Sequence, residues 1–216
     1  MSEDDARARL RRDYRTSRLE AFSDGVFAIA ITLLVLELGV PDTAANDLLA
    51  AILDQWPSYL AYVTSFLTIG VFWLQHSAVT SALRAADATL YRVNLLVLLL
   101  ASFLPFPTKL VGQFVDERAA ERIAVVFYGL SLLALDLALT AFIRYAAEQR
   151  HLIKDHITEE TIDSALLHQP SYAFYGGACA VGLLLPTVGV ALFLIIALYL
   201  GVPGRTVRRV LRRARR

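Results

Sequence analysis

Long apolar runs alternate with short charge-rich stretches along this chain, and most of the runs are as long as a membrane is thick. A helix needs roughly 20 apolar residues to cross a bilayer. The first run, 18–38, reads RLEAFSDGVFAIAITLLVLEL and stops at Gly39 and Pro41. The second, 56–79, carries Pro57 near its start, where proline is tolerated. The third, 88–111, contains Pro105 and Pro107, which predict a kink or an end. The fourth covers 119–147. Two shorter runs, 170–185 and 187–202, meet at Pro186 and Gly189, a turn signal. This pattern predicts an all-α, polytopic membrane protein of six transmembrane helices per subunit. The last two either cross or form a re-entrant hairpin. The chain divides into an N-terminal segment (1–17), a six-helix transmembrane domain (18–203) and a basic tail (204–216).

The first run is the one that carries chemistry. Arg18, Ser23, Asp24, Thr32 and Glu37 stand in or beside it. An ionisable group at the bilayer centre costs at least ~2.5–3.5 kcal/mol and normally faces protein or water. Arg18 and Glu37 lie near the ends, where long side chains reach the interface; Asp24 lies deeper. Turned at about 100° per residue, Ile29, Thr32 and Leu36 fall on one narrow stripe with Gly25 nearby, while Ser23 and Asp24 fall on other faces. Several copies of such a stripe around an axis would make a narrow pore. Its apolar rings can gate by dewetting, and its hydroxyl ring can replace part of an ion's hydration shell. The same stripe also suits a lipid-facing or helix-packing surface.

Charge adds an orientation. Eighteen of the 21 Lys and Arg residues lie at one end of the predicted spans: Arg7 to Arg18, Arg84, Arg92, Arg144, Arg150, Lys154 and the tail from Arg205. Lys109, Arg118 and Arg122 lie at the other end, and the connection 39–55 carries Asp42, Asp47 and Asp54 with no basic residue. The positive-inside rule puts both termini in the cytoplasm. Net charge is only +1, so bulk charge implies no nucleic-acid partner, and the basic tail suits anionic lipid. The single cysteine, Cys179, sits in an apolar run and excludes a disulfide framework. Phosphate loops, zinc motifs and nucleophile elbows are absent from the sequence, so neither an enzyme nor a bound cofactor or metal is expected.

The run Arg18-Leu19-Glu20-Ala21-Phe22-Ser23-Asp24-Gly25-Val26-Phe27-Ala28-Ile29-Ala30-Ile31-Thr32 resembles the signature of the transmembrane protein 175 potassium channel family, in its bacterial single-repeat form. The diagnostic part is the arginine, three residues, then Phe-Ser-Asp. Trp73-Leu74-Gln75-His76 and the segment from Asn94 to Phe-Leu-Pro-Phe-Pro add to the likeness, which runs from Arg18 to about Leu200. A lone His76 stands where many bacterial relatives show a histidine pair.

The resemblance implies a homotetramer in a bacterial plasma membrane that conducts potassium passively, without a carbonyl filter, through a pore lined by the first helix. It implies that Ile29, Thr32 and Leu36 form the ion pathway, with Ile29 as the hydrophobic bottleneck and Thr32 contributing to selectivity. Arg18, Phe22, Ser23 and Asp24 would then tie helices together around the pore.

His76 and Asn94 sit at similar depth to Asp24 and Arg18 and suit one interhelical polar network. Asp136 is the other deep acid, expected to pair with a neighbouring helix. Asp24, His76 and Asp136 together also suit a proton-coupled carrier, and a membrane scaffold is a further alternative. The charged run around His151, Lys154, Asp155, His156, Glu159 and Glu160 lacks metal-site spacing.

Overall fold

The computed structural model describes residues 3–39, 47–115, 117–155, 157 and 171–201, with side chains from Thr16 onward. Among them every regular element is helical, apart from an antiparallel bridge between Leu83 and Ile153. Helix α1 (Glu3–Leu33) continues as a 3-10 helix over Leu34–Glu37. A short α2 (Leu48–Asp54) follows, its N-terminus capped by Asp47, whose carboxylate accepts from Ala50 N. Then come α3 (Trp56–Thr80), α4 (Ala88–Phe103), α5 (Pro105–Gln113), α6 (Arg118–Glu148), α7 (Ser171–Leu184) and α8 (Pro186–Gly201).

The sequence signals act where physics places them. Pro57 stands in the first turn of α3, where the missing N–H leaves no intrahelical bond unmade. Asp87 caps α4: its carboxylate accepts from Leu90 N at 2.8 Å and from the Tyr145 hydroxyl at 2.6 Å. Burial raises the Asp87 pKa, but these hydrogen bonds outweigh it and hold the group below the usual aspartate value. Pro105 ends α4 at Phe103, since its ring cannot fit against the preceding turn. The break is shallow. Leu104 N bonds back to Ala101 O, the Thr108 hydroxyl bonds Leu104 O, and α4 and α5 together make one span, Ala88–Gln113.

The expected six spans are corrected to four. Among the described residues, the helices long and apolar enough to cross are Thr16–Glu37, Trp56–Thr80, Ala88–Gln113 and Arg118–Glu148, of 22, 25, 26 and 31 residues. α7 and α8 have 14 and 16 residues. At ~1.5 Å per residue they reach only ~21 and ~24 Å, short of a hydrocarbon core of ~30 Å. The physical reason is Pro186, which cuts one long apolar stretch into two half-length helices. They fold on each other as a hairpin. The turn is held by Leu185 N to Val181 O and Gly189 N to Leu185 O, at 2.8 and 3.0 Å. Close approach is possible because glycine faces glycine: a Cβ on Gly189 would stand 2.7 Å from the Gly182 Cα. Thr187 donates to Glu121 at 3.3 Å, fixing the turn beside the start of α6.

α6 is the most enclosed span and α1 the least, with 56% and 28% of their apolar windows buried. α6 packs against α3, α4, α5, α7 and α8, and its Leu132, Leu135, Leu139 and Phe142 are inaccessible or nearly so. Ser65 links two neighbours, to the Thr108 hydroxyl at 2.8 Å and the Tyr128 hydroxyl at 2.9 Å. At the opposite end, Arg84 binds His151 O and Asp155, and Lys154 binds Ser81 O, so the loops after α3 and α6 are tied. Residues 158–170 and the basic tail 204–216 lie outside the described residues, as does His156.

Gly189→Ala pushes a methyl group into backbone that has no rotamer to yield. Overpacking of this kind costs ~1–3 kcal/mol. The thermal unfolding midpoint in detergent is expected to fall for Gly189→Ala and to stay put for Gly177→Ala, where a Cβ meets nothing. Equal midpoints would show that the hairpin is not closed at Gly182.

Candidate functional site

The site is built on α1, whose two sides differ. One side is the series Thr16, Leu19, Ser23, Phe27, Ala30 and Leu34, spaced three or four apart and buried throughout. It packs on α3 and α4. The opposite side carries Arg18, Phe22, Gly25, Ile29, Thr32 and Leu36, all exposed. Ile29 is 60% and Leu36 73% exposed, although both are apolar. One face therefore binds the helix to its own chain while the other, from Gly25 to Leu36, is exposed and uncovered among the described residues.

What fixes the rotation of α1 is a set of polar contacts behind it. The Asn94 amide on α4 donates to the Ser23 hydroxyl at 3.0 Å, and the Asn94 carbonyl oxygen lies 2.7 Å from His76 Nε2 on α3. A carbonyl oxygen only accepts, so Nε2 carries the proton. The ring is held between Phe27 at 5.4 Å and Phe142 at 5.0 Å, and Nδ1 has no hydrogen-bond partner among the described residues. One residue past Ser23, Asp24 accepts from Trp73 Nε1 at 2.8 Å. Ser23 and Asp24 thus grip two different helices. Asp24 joins Trp73 rather than the Ser23–Asn94–His76 chain. Phe22 and Arg18 lie on the bare side.

The Thr32 hydroxyl donates to Ile29 O at 2.9 Å, within its own helix. Its proton is used there, so the oxygen offers lone pairs to the bare side. From Leu34 the helix tightens into a 3-10 turn, where positions i and i+3 eclipse. Leu34 is fully buried, and Glu37, on the same side, lies 3.0 Å from Lys109 Nζ on α5. Sequence reasoning placed Glu37 at the interface and missed this partner, as it missed Trp73 as the partner of Asp24. The only signals were an unpaired acid at a span's end and an indole one turn from His76.

Asp136 is buried on α6, away from the bare stripe. Its Oδ2 has no hydrogen-bond partner among the described residues. No group of three or more His, Cys, Asp or Glu suited to a metal occurs among the described residues.

The described residues thus form a polytopic α-helical bundle in which one span is gripped from behind and exposed in front. Comparison with known proteins narrows this. Residues 18–105 match the family model described as the endosomal/lysosomal potassium channel TMEM175. A potassium channel of Streptomyces collinus is 41% identical over 143 residues, 66% of this chain and 69% of its own length. A potassium channel of a Chryseobacterium species is 31% identical over 199 residues, 90% of this chain and 97% of its own. The crystal structure of a lysosomal potassium-selective channel TMEM175 homologue from Chamaesiphon minutus superposes with a TM-score of 0.69 at 34% identity, covering 93% of this chain and 98% of that one. The chain belongs to the TMEM175 family and is similar to its bacterial single-domain members. It is a multi-pass membrane protein of a channel family, not an enzyme.

Asn94 is the member of the polar chain with two partners. Losing an interhelical hydrogen bond in a membrane costs ~0.6 kcal/mol on average. Leaving buried donors unsatisfied costs more, ~1–3 kcal/mol, and Asn94→Leu orphans both Ser23 and His76 Nε2–H. A clear fall in the detergent melting midpoint is expected for Asn94→Leu, and a smaller one for Ser23→Ala. Equal, negligible falls would show that the chain does not hold α1.

Proposed function

We propose that this chain is one subunit of a homotetrameric potassium channel in which α1 lines the pore. The observation that carries the proposal is the bare stripe of Ile29, Thr32 and Leu36 on a span whose opposite side is locked to α3 and α4. An apolar face left open in a single chain, on the helix that bears the family signature, suits other copies of itself around an axis. The names of the relatives supply the ion.

Four Ile29 side chains around the axis exclude water, and a hydrated cation cannot shed its shell against hydrocarbon. Thr32 follows one turn later and supplies acceptor oxygens, because its proton is engaged by Ile29 O. Potassium holds its water less tightly than sodium and so exchanges it for such oxygens more readily. Leu36 forms a second apolar ring at the far end. Asn94 engages both the Ser23 hydroxyl and His76 Nε2, a link across three helices that favours a scaffold role for them over proton relay. Asp136, with one unpartnered oxygen, is the feature that suits a carrier best. Its place away from the bare stripe supports the channel reading instead.

Orientation follows from charge. Four crossings, like six, return the chain to its starting side, so the correction in span number leaves both termini cytoplasmic. The basic tail then meets anionic lipid, where each Arg contributes ~1 kcal/mol near the surface.

Substitutions at two positions test the pore assignment in planar bilayers. Thr32→Ala removes the only hydroxyl of the stripe and is expected to lower the potassium-over-sodium permeability ratio in a channel that still conducts. Thr32→Ser is expected to retain that ratio. Ile29→Asn brings oxygen and water into the constriction and is expected to enlarge currents while weakening discrimination. A stable assembly whose currents are indifferent to both changes would remove α1 from the conduction path.

A further inference from the structure

The 3-10 segment at the end of α1 is held differently from the rest of that helix. Through Leu33 the helix is anchored by buried apolar residues, Ser23 and Asp24. Beyond it, over Leu34–Glu37, the turn is tighter and its hydrogen bonds are poorer. Two features hold it: Leu34, fully buried in a turn that packs on α3 and α5, and the ion pair of Glu37 with Lys109 of α5 at 3.0 Å. About a quarter of the Glu37 side chain is exposed, and its Oε2, the oxygen that faces Lys109, is inaccessible to solvent with no further partner among the described residues. Lys109 is therefore the group that offsets that carboxylate's desolvation. On the far side of the pair, the Gln55 side chain donates to Gly39 O and ties the exit of the turn to the start of α3. Leu36 projects the other way, 73% exposed. Lys109 itself rides on α5, nine residues long and separated from α4 by the break at Leu104.

We propose that Glu37 and Lys109 form a clamp that positions the Leu36 ring and so sets conductance at the outer constriction. Both are positioning residues: neither faces the bare stripe. The proposal rests on the reading of α1 as the pore-lining helix. Three residues in a four-residue 3-10 turn divide the work. Leu34 anchors, Glu37 fixes the rotation, and Leu36 carries the result to the axis. If Lys109 loses its charge, a buried carboxylate is left without a counter-ion, and truncating one partner of such a pair is costly. Glu37 then turns toward water, the short 3-10 turn loses its tie to α5, and Leu36, one residue away, loses the contact that set its direction.

The test uses Leu36→Cys in the full-length channel, with a charged, membrane-impermeant methanethiosulfonate applied from the side opposite the termini. The chain's single native cysteine, Cys179, is buried and gives little background. Modification of Leu36→Cys should block current. Adding Lys109→Met should change both the modification rate and the single-channel conductance by ~2-fold or more, since small displacements at a dewetted constriction act strongly on ion passage. Glu37→Gln is nearly isosteric, leaves no buried charge and should fold whatever Lys109→Met does. It should shift both readouts as well. The exchanged pair, Glu37→Lys with Lys109→Glu, should return them toward the parent.

If modification blocks current while Glu37→Gln leaves rate and conductance unchanged, the clamp is refuted and the pore reading stands. If Leu36→Cys is neither modified nor blocked, the pore reading fails and the clamp fails with it. A lowered melting midpoint with unaltered conductance would reduce the pair to a structural tie and also overturn the proposal.

Discussion

The bond from Asn94 to Ser23 is the constraint on which the rest of this molecule depends. A membrane gives two apolar helices little reason to choose one face over another, because lipid tails are as apolar as leucine. α1 is apolar nearly all round beyond Gly25, so packing alone would let it rotate. A polar side chain removes that freedom, since it must find its partner or remain unsatisfied in hydrocarbon. Asn94, itself held by His76, supplies the partner at one height, and Trp73 supplies one for Asp24 a residue later. With those two contacts made, the rotation of α1 is decided, and Ile29, Thr32 and Leu36 have no choice but the bare side.

The asymmetry of the bundle follows from the same economy of contacts. α6 is surrounded because the α7–α8 hairpin fills the side that the longer helices leave open. Gly182 and Gly189 bring the hairpin's two backbones into contact, and Phe193 and Tyr175 fill the space against Tyr128 and Phe72. Among the described residues nothing comparable covers the outer face of α1. Its outer face carries side chains as apolar as those inside the bundle, so the difference between the two sides is set by neighbours and not by composition.

That distinction explains what could be read from the sequence. The stripe on the first helix was legible because a single hydroxyl among apolar residues stands out at helical spacing. The polar residues of α3 and α4 were legible because His76 and Asn94 are costly in a membrane unless paired. The break at Pro105 was legible from the chemistry of proline. The number of spans was not. The stretch from Ser171 to Gly201 is apolar enough to suggest two crossings, and only the lengths of α7 and α8 show that each falls short. Hydropathy reports whether a residue tolerates lipid or a protein interior and does not separate the two. The partners of Asp24 and Glu37 were hidden for another reason. Trp73 and Lys109 lie 49 and 72 positions away in the chain, and nothing in the local pattern of α1 points to them.

On the reading of α1 as the pore-lining helix, the hydroxyl of Thr32 is where backbone and function meet at one atom. A threonine in a helix can donate to the carbonyl three or four residues back, which satisfies its proton and slightly disturbs the helix. Here the bond runs to Ile29 O, and the α-helix gives way to a 3-10 turn two residues later. The same bond orients the oxygen, since a hydroxyl whose hydrogen is engaged can only accept. A cation needs acceptors, and a proton left pointing toward the axis would repel it. An asparagine at this position would present donors as well as an acceptor, and a valine would present neither. Threonine is the residue that keeps the stripe almost wholly apolar, fixes the direction of its one dipole through its own backbone, and requires no second helix to do so.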